Sequence, residues 1–136
     1  MKMNNNNKFE GFTLVELIIV MVLLGILAAV AVPKMGNTIS SSEEATEDAI
    51  IAALQSAVEM YAMDQVVNNS VKSYPSNPFE EMDKVPDGYS GLGAPDLDGE
   101  WTFTSEGYVA HQRNDNSKYK WFYNDSSGTF GDRVAY

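Results

Sequence analysis

The residue best placed for chemistry is Glu16, the only charged side chain in the otherwise apolar run from Phe12 to Val32. A carboxylate deep in a bilayer is costly unless it has a partner. A cut after Gly11 would give Phe12 a free α-amine four residues before Glu16. At about 4 Å an ammonium and a carboxylate attract strongly in a medium of low dielectric constant, although part of that attraction offsets lost hydration. The amine could belong to the same chain or to a neighbouring chain. If it belongs to a neighbour, the ion pair would fix the axial register between the two subunits.

The remaining composition offers little for catalysis or metal binding. The chain has no cysteine, which excludes a thiol nucleophile, a thiolate zinc site and a disulfide. Its only histidine, His111, has no titratable partner nearby in the sequence and is expected to be a structural or surface residue. Acidic pairs such as Glu80-Glu81 fall in loops, so neither a catalytic residue nor an enzyme activity is predicted.

The run from Phe12 to Val32 must position Glu16, and it is long enough to enter a membrane. As a helix, its 21 residues would extend about 30 Å, close to the thickness of the hydrocarbon core. Lys2 and Lys8 precede it, so the positive-inside rule places the N-terminus in the cytoplasm and the remainder outside. Ala29-Val30-Ala31 leaves open a cleaved signal peptide, and a plain single-pass anchor is another alternative.

Two residues weaken the helix near the end of this run. Gly25 costs about 1 kcal/mol relative to alanine in a helix interior. Pro33 removes a backbone donor and collides with the preceding turn. We therefore predict a kink, or a locally melted segment, between these two residues in the assembled protein.

The stretch after Pro33 has the period of an amphipathic helix, with acidic residues away from the apolar face. Ser40–Glu44 is open to two interpretations: a capping box that starts a second helix, or a solvated turn of one continuous helix. Continuity is favoured, with the helix ending at Asn68-Asn69-Ser70. The apolar face comprises Ile50, Ala53, Leu54, Ala57, Val58 and Tyr61, and the acidic residues off it are Glu43, Glu44, Glu47, Asp48 and Glu59.

The C-terminal part is rich first in turn residues and then in strand-forming residues. Residues 71–100 contain many Pro, Gly and Asp residues, which predicts a long loop with a short turn at Phe79–Asp83. The segments that follow predict an antiparallel meander whose apolar face packs on the helix. Its strands are predicted at Trp101–Thr104, Tyr108–Arg113, Lys118–Asn124 and Thr129–Phe130.

These patterns predict an α+β fold in three parts. Residues 1–11 form a polar leader, residues 12–66 form a long helix that is transmembrane over 12–32, and residues 67–136 hold a variable loop and a small antiparallel sheet. The net charge is −10, of which residues 1–11 contribute +1, so the exported part carries −11. Nucleic acid is not expected as a partner, because its binding needs a basic face.

The segment Gly11-Phe12-Thr13-Leu14-Val15-Glu16-Leu17, with Gly25 and Pro33 at the expected offsets, resembles the N-terminal motif of type IV pilins and type II secretion pseudopilins. The resemblance covers about residues 11 to 35. It implies a pilin-like fold in the bacterial inner membrane and a prepilin peptidase that cuts between Gly11 and Phe12 and methylates the new Phe12 amine. It also implies that Glu16 guides assembly, from an inner-membrane platform, into a helical filament of this or other pilin-like subunits. One departure is Glu10, where a basic or neutral residue is commoner.

The lack of cysteine favours one branch of this family. Type IV pilins often pin their C-terminal segment with a disulfide, so the chain is more similar to pseudopilins, whose short periplasmic filament pushes substrates outward. A type IV pilin for adhesion, motility or DNA uptake is the second interpretation. The third, from a different class of protein, is an exported or singly anchored binding protein. Major pseudopilins often bind calcium near the C-terminus, but the acidic spacings here match no defined calcium loop, so no cofactor is predicted. The candidate oxygens belong to Asp96, Asp98, Glu100, Asp115, Asp125 and Asp132.

Overall fold

The computed structural model describes residues 11–136, so the leader predicted at residues 1–11 lies almost entirely outside the described residues. The chain forms two compact units, one up to Ser41 and one from Ser42 to Tyr136. The elements within the described residues are helix α1 (Leu14–Asn69), a 3-10 helix (Pro78–Glu81) and the strands β1 (Tyr89–Leu92), β2 (Trp101–Phe103), β3 (Tyr108–Gln112), β4 (Lys118–Asn124), β5 (Thr129–Phe130) and β6 (Val134–Ala135).

The N-terminal unit holds the apolar part of α1. Its large hydrophobic side chains from Phe12 to Ile39 are all more than half exposed in the single chain. By length and composition this part of the helix is able to cross a membrane. An apolar surface of this extent needs lipid or other helices to cover it.

Helix α1 is continuous through Ser40–Glu44, so no second helix starts there. The predicted end is confirmed: the last helical residue is Asn69, and Ser70 takes a left-handed conformation with φ 58°. Helix is also maintained at Gly25 and Pro33. The kink between these two residues stays a prediction for the assembled protein.

The predicted α+β fold with a mostly antiparallel sheet is confirmed. The sheet has the order β1-β2-β3-β4-β5, and β6 also pairs with β4. Strands β2 to β5 form the predicted meander, and β4 and β5 have the predicted bounds. Short turns make this arrangement local, which is why the sequence pattern was sufficient to find it.

Two strands were not predicted. Strand β1 lies inside the stretch interpreted as a loop, and it pairs in parallel with β2. Its register shifts between Tyr89 and Gly91, where Gly91 has a φ of 107°. A glycine-containing strand of four residues with a bulge lacks the alternating pattern that identifies strands. Strand β6 has only two residues and is defined by its pairing with β4.

The part of α1 in the C-terminal unit packs on the sheet through a face that overlaps the predicted one, with Leu54 and Val58 buried, but is rotated from it. The buried residues of α1 are Glu47, Leu54, Val58 and Ala62, and these spacings place them on one side of a helix. Ala53, predicted on the apolar face, is exposed. Glu47, predicted off it, is fully buried. Leu54 and Val58 enter a core that otherwise consists of Phe79, Trp101, Phe103, Val109, Trp121 and Tyr123.

Helix α1 and the segment after it are held on the sheet by hydrogen bonds and one close backbone approach. The Tyr123 hydroxyl donates to the Pro75 carbonyl at 2.8 Å, and Gln55 Nε2 donates to the Gly128 carbonyl at 2.8 Å. Gly128 has a φ of 67°, and an added Cβ would lie 2.2 Å from the Tyr74 ring. Glycine is therefore required at position 128 by both backbone conformation and space.

Replacing Gly128 with alanine is expected to lower the free energy of unfolding by about 2–5 kcal/mol, from left-handed strain plus displacement of Tyr74. Urea unfolding of the full chain in detergent micelles would measure the loss. Gly99→Ala is the matched control, because Gly99 has a φ of 76° with open space around its Cβ position. Equal losses in the two variants would contradict a role for the Tyr74 contact.

Candidate functional site

The N-terminal end of α1 is closed by a reciprocal pair of hydrogen bonds. The Thr13 backbone N–H donates to Glu16 Oε2 at 2.8 Å, and the Glu16 backbone N–H donates to Thr13 Oγ1 at 3.2 Å. The Thr13 hydroxyl also donates to Glu16 Oε2 at 3.0 Å. This is a capping box, and the Thr-x-x-Glu spacing that signals one is visible in the sequence. This cap was not predicted, because Glu16 was interpreted only as a charge that needs an amine.

This geometry shows how the uncut chain accommodates Glu16. One oxygen of the carboxylate accepts from two groups of Thr13, so part of its hydrogen-bonding requirement is met within the chain. The two hydrogen bonds leave its negative charge without a counter-charge. The carboxylate therefore still gains from a cationic partner in an apolar environment.

The peptide bond between Gly11 and Phe12 precedes the helix. Neither residue is helical, and Phe12 is 93% exposed. The helix begins at Leu14, and the Thr13 carbonyl accepts the first helical hydrogen bond from Leu17 at 3.2 Å. Cleavage here, methylation of Phe12 and pairing of its amine with Glu16 stay predictions.

A second group of charged residues lies in the C-terminal unit and was not predicted as a cluster. The Glu47 carboxylate is fully buried between α1 and the sheet. Arg113 donates to it twice, from Nε to Oε1 at 2.8 Å and from Nη2 to Oε2 at 2.7 Å. His111 Nδ1 lies 2.9 Å from Oε1, and Arg133 Nε lies 3.0 Å from Oε2. Strand β3 with its continuation and the segment before β6 therefore meet one carboxylate of the helix.

The electrostatics of this cluster favour the ionised form of Glu47. Burial raises its pKa, but hydrogen bonds from Arg113 and His111 outweigh that effect and lower the pKa to about 2. The same contact with Glu47 raises the pKa of Arg113. Arg133 also reaches Glu44 and Asp48 on α1, each at 2.6 Å. His111 is thus a structural histidine, one of the two alternatives predicted, and it is buried.

The acidic residues considered for calcium serve their own loops. The Glu100 carboxylate accepts from the Ser90 hydroxyl and from the backbone N–H groups of Asp96 at 2.6 Å and Leu97 at 3.0 Å. The Ser90 hydroxyl and these N–H groups hold the pKa of Glu100 at about 2. Within residues 11–136, no group of three or more His, Cys, Asp or Glu side chains is arranged to hold a metal ion.

Comparison with known proteins gives one family-model match near the N-terminus and several relatives that align with part of the chain. The family model described as the prokaryotic N-terminal methylation motif matches residues 6–32. The chain is 41% identical over 64 residues to a type IV wide pilus major component of Thermus thermophilus, covering 47% of each chain. It is 35% identical over 81 residues to type II secretion system core protein G of Pseudomonas aeruginosa, covering 58% of this chain and 53% of that protein.

A further relative is type II secretion system core protein G of Dickeya chrysanthemi, 33% identical over 88 residues, covering 59% of this chain and 57% of that protein. The chain therefore spans about half the length of the curated relatives it matches. No solved structure matches it significantly. The methylation motif, the similarity to both groups of relatives and the long helix on a small sheet agree: the chain is similar to type IV pilins and type II secretion pseudopilins.

Proposed function

We propose that the protein is a structural subunit of a helical filament, not an enzyme, and that its N-terminal helix forms the filament core. The observation that carries the proposal is the methylation motif over residues 6–32, which includes Gly11, Phe12 and Glu16. The apolar surface of α1, exposed in the single chain, supports it. Such a surface is stable in lipid before assembly and against other copies afterwards.

The geometry of the uncut chain supports the steps proposed at the N-terminus. A prepilin peptidase cuts the exposed, non-helical bond between Gly11 and Phe12 and methylates the new amine. Because this amine is charged, it attracts the Glu16 carboxylate of a neighbouring copy more strongly than the Thr13 groups do. The pairing sets the axial register, since a misplaced subunit would leave one charge alone in lipid.

The filament is proposed to be that of a type II secretion system. The alignments with the two core G proteins extend over 81 and 88 residues, whereas that with the wide-pilus component covers 64. The C-terminal unit has no cysteine, and its helix is held on the sheet by Glu47 with His111, Arg113 and Arg133, here called the Glu47 cluster. This also supports a pseudopilin. A type IV pilus is the second candidate, favoured by the 41% identity to a pilus component.

The proposed location is the inner membrane, with the leader in the cytoplasm and the C-terminal unit outside. Lys2 and Lys8 before the apolar segment support this orientation through the positive-inside rule. Assembly then uses an inner-membrane platform as a partner, and the short filament extends into the periplasm. Removing the gene should abolish protein secretion if the pseudopilin proposal holds, or surface pili if the second candidate holds.

Mass spectrometry of the mature protein tests the processing step. The expected chain begins at N-methylated Phe12, because the cut releases the amine that meets Glu16 and the peptidase then methylates it. The purified uncut chain serves as the mass standard. A mature chain that begins near Val32 would indicate a signal peptide, and one that retains Met1 would indicate a plain anchor. Either result would reject the proposed function.

A further inference from the structure

In the C-terminal unit, α1 has a second apolar face that points away from the sheet. Leu54 and Val58 are buried in the core, whereas Met60, Met63 and Val67 are 68%, 64% and 81% exposed. Exposed apolar and small side chains recur on this face at alternating spacings of four and three residues, the pattern by which one helix packs along another. They comprise Ala49, Ala53, Ser56, Met60, Met63 and Val67, here called the outer face of α1. An exposed seam of this kind indicates that a second helix covers it.

A groove of about 510 Å³ lies beside the outer face, bounded by α1 and by residues 81–84. Its floor consists mostly of small side chains, which allow another helix to approach closely. Its lining also carries the carboxylates of Asp64, Glu81 and Asp83, none of which forms an ion pair within residues 11–136. The groove therefore suits an apolar helical segment that brings a positive charge. The floor residues on α1 are Ala53, Ser56, Ala57, Met60 and Tyr61.

Residues 34–39 of α1 have the complementary chemistry. Lys34 is the only lysine or arginine of this helix, and it forms no ion pair with any described residue. Met35 and Ile39 are four residues apart, so they lie on one side of the helix, and they are 62% and 54% exposed. Residues 34–39 and the groove floor belong to one continuous helix, which cannot fold back on itself. The segment that docks in the groove must therefore come from another copy of the chain.

We propose that residues 34–39 of one copy dock in this groove on a second copy, an inference that rests on the proposed filament. Two apolar contacts define the arrangement. Met35 lies beside Ser56 of the other copy, and Ile39 lies beside its Met60. The members of each pair are 21 residues apart in the sequence, so the two parallel helices are displaced by about 32 Å along their length. The docked arrangement thus fixes the stagger between the two copies as well as their contact.

Charge selects this segment of the second copy. The exported part of each chain carries −11, so two copies repel each other wherever their acidic surfaces meet. Docking places Lys34 against the carboxylates of Glu81 and Asp83, where opposite charges attract. The docked helix covers part of the groove and keeps out solvent, so this attraction is screened less than that of a fully exposed pair.

Disulfide cross-linking in assembled filaments tests the stagger. The chain has no cysteine of its own, so Met35→Cys combined with Ser56→Cys introduces its only thiols. A disulfide needs Cα atoms within about 7 Å, which two residues this far apart on one helix cannot reach within a chain. Mild oxidation is therefore expected to give a ladder of linked subunits on a non-reducing gel. Met35→Cys combined with Val67→Cys is the matched control and should give monomers only. No ladder from the first pair, or an equal ladder from the control, would overturn the proposal.

A charge exchange tests the role of Lys34 without any cysteine. Lys34→Glu is expected to lower the number of filaments by about tenfold or more, because it places like charges opposite each other. Adding Asp83→Lys should restore most of the wild-type number, counted by electron microscopy. Lys120→Glu makes the same change of charge on β4, outside the groove, and should leave the number unchanged. A double variant no better than Lys34→Glu alone would contradict the proposed contact.

The outcomes separate this contact from the proposed function. Wild-type chains that form no filaments would reject the proposed function and the contact with it. Filaments that form normally but show neither the cross-link between positions 35 and 56 nor a response to the charge exchange would reject only the docking of residues 34–39. In that case the chain would remain a filament subunit whose copies meet through other surfaces.

Discussion

Replacing Glu47 with alanine is expected to lower the free energy of unfolding by about 3–5 kcal/mol, the loss typical of breaking a buried ion pair. The carboxylate is fully buried and lies 2.7 Å from Arg113 and 3.0 Å from Arg133. Alanine removes the charge that offsets the burial of Arg113 and leaves a space on the helix. Urea unfolding of the full chain in detergent micelles would measure the difference.

Glu59→Ala is the matched control for this prediction. Glu59 lies on the same helix and pairs with Lys72 at 3.3 Å, but both side chains are nearly half exposed. Solvent screens such a pair, so its loss should change stability little. If Glu47→Ala lowered the free energy of unfolding as little as Glu59→Ala does, the Glu47 cluster would not hold the helix on the sheet.

The same cluster gives a prediction for pH. The pKa of Glu47 is lowered from 4.5 to about 2 in the folded protein. Its stabilising effect is therefore complete above its unfolded pKa and is lost as the pH falls from about 4.5 to about 2. In Glu47→Gln this titration is absent, so the stability difference between wild type and variant should shrink over that range. A difference that stays constant there would contradict the assignment.

Replacing Glu16 with alanine is expected to leave cleavage after Gly11 intact and to reduce filament formation more than tenfold. Cleavage depends on the exposed bond before the helix, whereas assembly is proposed to depend on the Glu16 charge meeting the Phe12 amine. Losing one partner of an ion pair in an apolar environment removes several kcal/mol. Electron microscopy would count filaments, and mass spectrometry would confirm the cut.

The capping box makes a sharper control possible. Glutamine at position 16 can still accept from Thr13, so Glu16→Gln retains the cap but has no charge. Thr13→Ala weakens the cap but retains the charge. We expect Glu16→Gln to lose filaments as Glu16→Ala does and Thr13→Ala to retain most of them. The opposite pattern would mean that Glu16 acts by capping the helix and not by pairing with an amine.

Much of the fold could be predicted because its signals are local. The apolar run and the amphipathic period identified α1, and aromatic residues between short turns identified β2 to β5. Strand β1 has no comparable signal, because its pairing with β2 depends on residues that lie beyond the connecting segment 93–100. Parallel pairing is set by tertiary contacts, which one sequence does not reveal.

The Glu47 cluster was missed because a glutamate on an acidic helix is ordinarily solvent-exposed. Two signals were nevertheless present. Glu47 lies seven residues before Leu54, two turns along the same face. His111 and Arg113 alternate along one strand and its continuation, so both side chains point to the same side of the sheet. Pairing these two faces would have placed the carboxylate between cations.

The Glu47 cluster also limits how α1 can be rotated on the sheet. Turning the helix by one residue moves Glu47 through about 100° and away from both guanidinium groups. Leucine and valine in the core tolerate small rotations, but an ion pair at 2.7 Å does not. The cluster therefore selects one rotational setting of the helix. The opposite face, with Ala53, Met60, Met63 and Val67, consequently keeps a fixed orientation relative to the sheet for whatever packs against it.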